Sequence, residues 1–180
     1  MISVSKRGLL MNNKVSLRDA KREDLEGIIA VAGHSFKEDD INSLKLQLGY
    51  YFGGPKGFGE KLPSRLLSQD NYVATLGGKV IGFAGIEQDN YNGGSINSAW
   101  LGWIAVHPKY KQKGIGSMLI KEAEIRAVSY GCRKLYVQTA SIHPDMVNFL
   151  SKNGYRIEAA LEGYFDDADL LIASKRLCRK

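Results

Sequence analysis

The segment 104–117 contains an apolar run, a proline, three lysines and two closely spaced glycines. This order predicts a buried strand that ends before Pro108 and a helix that begins near Gly114. The first turn of a helix leaves backbone N–H groups without partners, and the helix dipole adds positive potential there. The residues that would admit and attract a ligand at this turn are Lys109, Lys111, Lys113, Gly114 and Gly116. The chemistry that fits them is the binding of a pyrophosphate or a similar polyanion.

Two well-known phosphate-binding loops do not fit the sequence. A Walker A loop needs glycine, four residues and then Gly-Lys-Ser/Thr, which neither the turn at Gly114 nor the glycine cluster at 53–59 provides. A dinucleotide-binding fingerprint needs a third glycine at the position occupied by Leu119. The polyanion therefore has to be held by a different kind of loop.

Hydrophobic periodicity and turn residues predict one α/β domain around this turn. The expected strands are 15–18, 71–76, 79–87, 98–106, 134–139, 155–161 and 169–174, and the expected helices are 24–32, 41–52, 114–131 and 144–154. The pair Gly77 and Gly78 indicates a hairpin turn between the second and third strands. An antiparallel meander that leads into a β-α-β crossover predicts a mixed, mostly antiparallel sheet with helices on both faces. Residues 1–13 are expected to form a flexible tail, and residues 14–180 the domain.

The composition is typical of a folded protein that is not stabilised by disulfide bonds or a structural metal ion. The chain has 180 residues, of which 44% are hydrophobic and 24% charged, and this length suits a single domain. Two cysteines and three scattered histidines do not make a disulfide framework or a zinc site, so no metal is expected. The longest apolar run, near 100–106, is far shorter than a membrane span, and the first residues lack the apolar core of a signal peptide. A cytoplasmic protein without a membrane partner is expected.

Charge is distributed unevenly along the chain, whose formal net charge is +6. Residues 106–136 are rich in lysine and arginine, whereas residues 158–169 contain five acidic side chains and no basic one. A basic centre suits either nucleic acid or a phosphate-rich cofactor. Nucleic-acid binding would need aromatic residues interleaved with the basic ones or a known reader motif, and neither is evident. The sequence therefore favours the cofactor, and no nucleic-acid partner is expected.

The basic turn resembles the signature of the GNAT superfamily of acyl-CoA-dependent N-acetyltransferases. That signature, Arg/Gln-x-x-Gly-x-Gly/Ala, corresponds to Lys111-Gln-Lys-Gly114-Ile-Gly116, and Val106-His-Pro108 precedes it as in the family. Three further segments are similar and follow the family's order, namely 18–25, 78–84 and 149–155. The resemblance covers most of the chain. It implies the GNAT fold, acetyl-CoA as the cosubstrate and transfer of the acetyl group to a primary amine in a ternary complex.

The resemblance also implies where acetyl-CoA would lie. In the family, backbone amides of the turn hold the pyrophosphate, and the pantetheine arm runs beside the fourth strand like an added strand. A backbone N–H of that strand would also stabilise the oxyanion that forms when an amine attacks the thioester. The family's cofactor-binding asparagine falls at His143 here. The implied cofactor-binding residues are Ile104, Ala105, Val106, Lys111, Gln112, Lys113, Gly114, Ile115, Gly116, Ser117 and His143.

The family's usual proton-transfer residues do not stand at their expected positions. An alkylamine has a pKa of about 10.4, so a base must remove a proton before attack. The position where some members carry a glutamate is Trp100, and Glu87 on the preceding strand is the nearest candidate base. The general-acid tyrosine of the family falls at Leu150. Tyr164 and His143 are the candidate replacements, although His143 is also expected to cap the helix that follows it.

Several alternatives stay open on the acceptor side. Small amines and protein or peptide N-termini both fit a primary-amine acceptor, and the acidic stretch 158–169 is a candidate border of its mouth. Further candidates are the segments 41–62 and 88–97 and the aromatic residues Trp100, Trp103 and Tyr91. Because two expected ionisable positions hold Trp100 and Leu150, the alternative function is a non-catalytic acyl-CoA-binding module on the same fold. The family resemblance also leaves a homodimer open.

Overall fold

The computed structural model describes residues 14–53, 66–89 and 97–177. The expected tail 1–13, most of the glycine cluster at 53–59 and Tyr91 lie outside these residues, as do parts of the candidate acceptor segments 41–62 and 88–97. The described residues form a seven-stranded sheet with helices on both faces. The predicted fold class, a mixed and mostly antiparallel sheet with a β-α-β crossover, is confirmed.

Within the described residues, the elements follow one another in the predicted order. The strands are β1 Ser16–Asp19, β2 Leu66–Leu76, β3 Lys79–Asp89, β4 Ser98–Val106, β5 Lys134–Ala140, β6 Arg156–Phe165 and β7 Ala168–Arg176. The α-helices are α1 Leu25–Ala32, α2 Glu38–Tyr51, α3 Ile115–Ser129 and α4 Pro144–Lys152, and short 3-10 turns lie at Arg22–Asp24 and Pro108–Tyr110. The strand order is β1-β2-β3-β4-β5-β7-β6, in which β4 and β5 form the parallel pair. β2 begins at Leu66 rather than at residue 71 as predicted, because its backbone ladder with β3 extends as far as the pair of Leu66 and Asp89.

The sheet separates two apolar cores. α3 and α4 cover one face, where Ile115, Leu119 and Ala123 recur every four residues on α3 and are buried. α1 and α2 cover the other face, where Leu44 of α2 belongs to the same cluster as Phe83 of β3. Burial of these two helical stripes holds the elements around the glycine turn in place.

β4 loses its pairing with β5 halfway along its length. The parallel ladder joins residues 98–101 to residues 134–137 and ends there in the described part of the chain. On its other side β4 pairs with β3 as far as Val106, but a register shift leaves Gly102 as an extra residue, which is a β-bulge. A bulge bends its strand and increases the local twist. The second half of β4 therefore diverges from β5 and leaves a split in the sheet.

The backbone groups that line this split follow from the ladder on the other side of β4. His107 donates its N–H to the carbonyl oxygen of Ile81, on β3, at 2.9 Å. Peptide groups alternate in direction along a strand, so Ala105 also pairs with β3. By the same alternation, the N–H and C=O groups of Ile104 and Val106 point into the split.

An arginine ties the C-terminal end of α3 to the sheet. Arg126 forms ion pairs with Asp19 at 2.7 Å, Asp70 at 3.2 Å and Glu122 at 2.9 Å. Its guanidinium carbon also lies 4.6 Å from the centre of the Tyr72 ring. These contacts fix the direction of α3 and hence the position of its N-terminus relative to the split.

The strand β6 is a sheet edge with an interrupted ladder. Its pairing with β7 changes register once between Ile157 and Ala159 and again between Leu161 and Phe165. All ten residues of β6 are exposed. The edge is therefore irregular and solvated along its whole length.

A buried carboxylate anchors the start of α1. The Asp24 side chain is 6% exposed and accepts two hydrogen bonds from Arg18, at 2.6 and 2.8 Å. It also accepts the N–H of Lys21 at 2.8 Å. The hydrogen bond from Arg18 lowers the pKa of Asp24 below its usual value of 3.8, against the opposing effect of burial. Asp24 therefore stabilises the fold in its ionised form.

Asp24→Asn is expected to destabilise the protein at pH 7 by about 1–3 kcal/mol, because it removes one charge of a buried, bidentate pair. A carboxyl whose pKa is lower in the folded protein stabilises it above the unfolded pKa, and this contribution is lost as pH falls through the folded value. The difference from wild type should therefore be complete above about pH 5 and should shrink below about pH 4. Urea unfolding at pH 7 and pH 3 measures it, with Asp166→Asn, in an exposed turn, as the control. An equal difference at both pH values would contradict the expectation.

Candidate active site

The turn before α3 presents backbone N–H groups to solvent. Gln112 and Gly114 have left-handed backbone conformations, with φ values of +60° and +80°. Met118 donates its N–H to the carbonyl oxygen of Gly114 at 3.0 Å, so the N–H groups of residues 115–117 precede the helical ladder. A Cβ built on Gly114 would meet no atom within 4 Å. Successive amides in such a conformation form a concave site for an anion.

Positive charge and aromatic rings line the same turn. The exposed lysines there are Lys109, Lys111 and Lys113. The Nζ of Lys113 lies 5.5 Å from the centre of the Tyr110 ring, and Tyr110 contacts the His107 ring edge to face. His107 accepts the Lys109 N–H at Nδ1, at 3.2 Å, and so caps the 3-10 turn. The lysines are solvated, so they add long-range attraction while the backbone amides provide the directed contacts.

Gly116 has a packing role that the sequence motif alone did not reveal. A Cβ at this position would lie 3.1 Å from Cε2 of Phe149 on α4. α4 therefore approaches the first turn of α3 closely because Gly116 has no side chain. Of the two glycines in the motif, Gly114 adopts the left-handed backbone conformation, and Gly116 allows the close contact between α3 and α4.

The split between β4 and β5 leads directly to the glycine turn. β4 ends at Val106, and only the segment 107–113 separates it from Gly114. Of the three predicted residues on this strand, Ile104 and Val106 direct their backbone polar groups into the split. Ala105 is 5% exposed and pairs with β3, so its backbone is directed away from the split.

Glu87 lies beside the point where the two strands separate. It is the cross-strand neighbour of Trp100, and its Oε1 lies 3.3 Å from the position that a Cβ on Gly102 would occupy. Gly102 itself is exposed. The carboxylate of Glu87 and the start of the split are therefore adjacent, on the face of the sheet opposite α3.

The structure does not bring the other proton-transfer candidates to this point. Tyr164 is 60% exposed on β6, and β5 and β7 lie between β6 and β4 in the sheet. Leu150 is 1% exposed and belongs to the core beneath α3. His143 occupies the N-cap position of α4, but its side chain makes no capping hydrogen bond, so that part of the prediction is wrong. The imidazole of His143 is instead exposed to solvent.

Part of the acidic stretch 158–169 has internal partners. Glu158 pairs with Lys134 at 2.7 Å, which lowers the pKa of Glu158. The carboxylate of Asp169 accepts the Gly163 N–H at 3.0 Å within the β6–β7 hairpin. The remaining acidic residues, Glu162, Asp166 and Asp167, are exposed on that hairpin.

Two residues near the split were missed by the sequence interpretation. Gly102 is an isolated glycine in a strand, which is a known signal of a bulge. Asn71 on β2 is 1% exposed, and neither atom of its side-chain amide has a hydrogen-bond partner in the described structure. Its Oδ1 lies 2.7 Å from where a Cβ on Gly85 would be. No sequence signal marks Asn71, because asparagine in a strand usually faces solvent.

Residues 14–53, 66–89 and 97–177 contain no group of three or more histidine, cysteine, aspartate or glutamate residues placed to hold a metal ion. Their helices include none that combines the length and the apolar character needed to cross a membrane.

A sequence model of the Acetyltransferase (GNAT) family matches residues 46–155. Among solved structures, a GNAT-family protein from Desulfovibrio desulfuricans has a TM-score of 0.77 and 19% identity, covering 92% of this chain and 100% of its own. The ribosomal-protein-S18-alanine N-acetyltransferase from Escherichia coli has a TM-score of 0.67 and 18% identity, over 93% and 96% of the two chains. A spermidine N-acetyltransferase chimera from Vibrio cholerae and hSSAT also reaches 0.67, at 19% identity over 90% and 95%.

The chain belongs to the GNAT acetyltransferase family, since the family match spans more than half of its residues. The predicted family is confirmed. At identities below 25%, the solved structures establish the shared fold and leave the acceptor to be argued from this chain's own residues. Family membership supports acyltransferase activity.

Gly116→Ala is expected to destabilise the protein by about 1–2 kcal/mol, because the added methyl group crowds the Phe149 ring. In the Phe149→Leu variant, Gly116→Ala should lower the free energy of unfolding by a smaller amount than in the wild type. The difference between the two amounts is the coupling energy of positions 116 and 149, which is expected to be about 0.5–1 kcal/mol. Thermal unfolding of the wild type, both single variants and the double variant measures the cycle. Strictly additive effects of the two substitutions would show that the close contact with Phe149 does not depend on the absence of a side chain at position 116.

Proposed function

We propose that this chain transfers an acetyl group from acetyl-CoA to a primary amine by direct attack in a ternary complex. The observation that carries the proposal is the split after Leu101, whose free strand edge runs into the glycine turn of α3. A peptide-like arm can add to such an edge through backbone hydrogen bonds, and a pyrophosphate can bind at such a turn. Acetyl-CoA carries these two groups in the same order, with the thioester at the far end of the arm.

The proposed contacts of acetyl-CoA divide between the strand and the turn. Ile104 and Val106 would pair with the amide groups of the pantetheine arm, beside Ala105. The residues proposed to surround the pyrophosphate are Lys111, Gln112, Lys113, Gly114, Ile115, Gly116 and Ser117. His143 remains a candidate contact because α4 packs against the first turn of α3.

The proposed chemistry needs a base and an oxyanion donor and can proceed without a general acid. Glu87 would take a proton from the amine, directly or through water, at the point where the strands separate. The N–H of Ile104 points into the split and would stabilise the negative charge on the thioester oxygen. A thiol with a pKa of about 8.5 can leave as a thiolate at neutral pH, which accounts for the buried Leu150 at the usual acid position.

Gly114→Ala is expected to weaken coenzyme A binding by up to about tenfold, because alanine in a left-handed conformation costs about 1–2 kcal/mol and the free turn would relax out of it. Gly78→Ala is the matched control. Gly78 has the same φ of +80°, an added Cβ there also meets no atom within 4 Å, and it lies in the β2–β3 hairpin turn. Both variants should lose similar stability, and only Gly114→Ala should lose affinity in a calorimetric titration with coenzyme A.

Two results of this titration would contradict the proposed binding of coenzyme A at the glycine turn. A wild-type protein that gives no heat with coenzyme A would remove the basis of the proposal. Equal losses of affinity in the two glycine variants would show that general destabilisation, and not the turn, controls binding.

Glu87→Gln is expected to lower kcat for thiol release from acetyl-CoA by about 100-fold or more with an amine acceptor, because the amide cannot accept the proton. The KM for acetyl-CoA should be unchanged, since the substitution keeps the shape of the side chain. Thiol release across a panel of amines and peptides measures the effect, with the exposed Glu26→Gln on α1 as the control. A Glu87→Gln protein with full kcat would exclude Glu87 as the base.

A second function is favoured by one observation. Leu150 lies in the core, and Trp100 faces Glu87 where some family members carry a glutamate. A module that binds acyl-CoA without turnover would have no need of either ionisable group. Binding of acetyl-CoA without thiol release across the whole amine panel would support this alternative over the enzyme.

A further inference from the structure

The side-chain amide of Asn71 is buried on the face of the sheet that α1 and α2 cover. Its neighbour Val73 belongs to the apolar cluster on that face, and side chains two residues apart on a strand share a face. Asn71 is 1% exposed, and neither Nδ2 nor Oδ1 has a hydrogen-bond partner in the described structure. A buried polar group without a partner lowers the stability of a protein, and native structures contain few of them. The amide of Asn71 therefore calls for a functional explanation.

This amide lies close to the bulge of β4. Asn71 pairs with Gly85 in the ladder between β2 and β3, and Gly85 pairs with Trp103 in the ladder between β3 and β4. The position that a Cβ on Gly85 would occupy is 2.7 Å from Oδ1 of Asn71 and 3.5 Å from Cδ1 of Trp103. Because Gly85 has no side chain, the amide and the indole ring share the space above β3. The extra residue of the bulge, Gly102, directly precedes Trp103.

Trp103 lies between the amide and the split. The strand order places β2 with Asn71 first, then β3, then β4 with Trp103, and the split follows on the far side of β4. The ring of Trp103 is partly exposed, whereas Asn71 behind it is buried. The ring packs edge to face on Phe36, and its indole N–H donates to Gln47 on α2. Rotation of this one side chain would connect the buried amide with the split.

We propose that Asn71 binds the backbone of a peptide acceptor whose N-terminal amine lies at the split. This inference rests on the proposed function and narrows its acceptor from primary amines in general to the N-termini of peptides. The Nδ2 atom of an asparagine donates hydrogen bonds and its Oδ1 atom accepts them. In an extended peptide, the N–H and C=O groups of one residue point to the same side and pair with both atoms at once. The ring of Trp103 turns outwards to admit the peptide.

Other primary amines match the amide of Asn71 less completely. A simple alkylamine has no polar group besides its reacting nitrogen. A polyamine in its charged form can donate to Oδ1 but cannot accept from Nδ2. A site with buried polar groups rejects molecules that leave those groups unpaired. Amino sugars carry hydroxyl groups that donate and accept, so they are the competing class of acceptor in the test.

The spacing of the strands sets which residue of the peptide meets Asn71. Neighbouring strands lie about 4.8 Å apart, so the middle of the split is about 7 Å from the line of β3. An extended peptide covers that distance in about two residues. The amide above β3 therefore pairs with the third residue of the acceptor when the amine of the first residue is at the split.

The first test compares trialanine amide with the same peptide methylated on the backbone nitrogen of its third residue. The methyl group removes the donor to Oδ1, so calorimetry on the full chain with coenzyme A present should show an affinity about tenfold lower. Asn71→Leu should weaken trialanine amide by at least that factor and should bind the two peptides equally. Asn42→Leu, which changes an exposed asparagine on α2, should keep the full difference.

The second test separates a binding role of Asn71 from a structural one. Asn71→Leu should raise the Tm of the protein without peptide by about 2–8 °C, because leucine has a similar volume and no polar atom to bury. A structural amide would lower the Tm when it is removed. Trp100→Phe leaves Trp103 as the single tryptophan of the chain. The fluorescence of this variant should change on addition of trialanine amide and not of propylamine.

Equal affinities of the wild type for the two peptides, or a lower Tm of Asn71→Leu, would overturn the role of Asn71. The thiol-release assay separates this failure from failure of the proposed function. Acetyl transfer that favours spermidine or glucosamine, with KM unaffected by Asn71→Leu, would overturn the peptide acceptor and leave the enzyme in place. Absence of transfer to every acceptor, with the difference between the two peptides still seen by calorimetry, would support the peptide site and overturn the enzyme.

Discussion

The site depends on one constraint, which is that β4 cannot stay paired with both of its neighbours. At Gly102 the strand gains a residue relative to β3, and from the same point it leaves β5. The ladder with β3 continues to Val106, so the strand remains firmly held while its other edge becomes free. Free backbone groups are costly inside a sheet unless water or a ligand satisfies them. A strand with one rigid edge and one open edge is therefore a template for an extended ligand.

The rest of the molecule keeps this open edge aligned with the glycine turn. Arg126 attaches the last turns of α3 to Asp19 and Asp70 near the β1–β2 side of the sheet. Glu124 of the same helix, which is 5% exposed, is paired with Lys175 of β7 at 2.7 Å. α3 is thus tied to the strands on both sides of the split. This explains how the sheet can separate between β4 and β5 without losing the helix that spans the gap.

Much of this arrangement could be predicted from the sequence, and the remainder depends on contacts between distant residues. The glycine turn, the strand that precedes it and the order of the elements follow from local patterns around Pro108, Gly114 and Gly131. The packing reason for Gly116 could not be predicted, because it lies in Phe149, far along the chain. The stacking of Trp100 on Tyr136 could not be predicted either, because it depends on the register between β4 and β5, whose paired residues are far apart in the chain.

The irregular register of β6 has a consequence for the behaviour of the protein in concentrated solution. A straight edge strand with exposed apolar side chains, such as Ile157 and Leu161, can recruit further strands and begin a fibril. The two register changes bend β6. The backbone N–H and C=O groups of an added straight strand would therefore not align with those of β6 along its whole length. The irregular register of β6 therefore limits growth of the sheet by addition of strands at this edge. The edge of β4 inside the split differs from it, because that edge is open to an extended ligand.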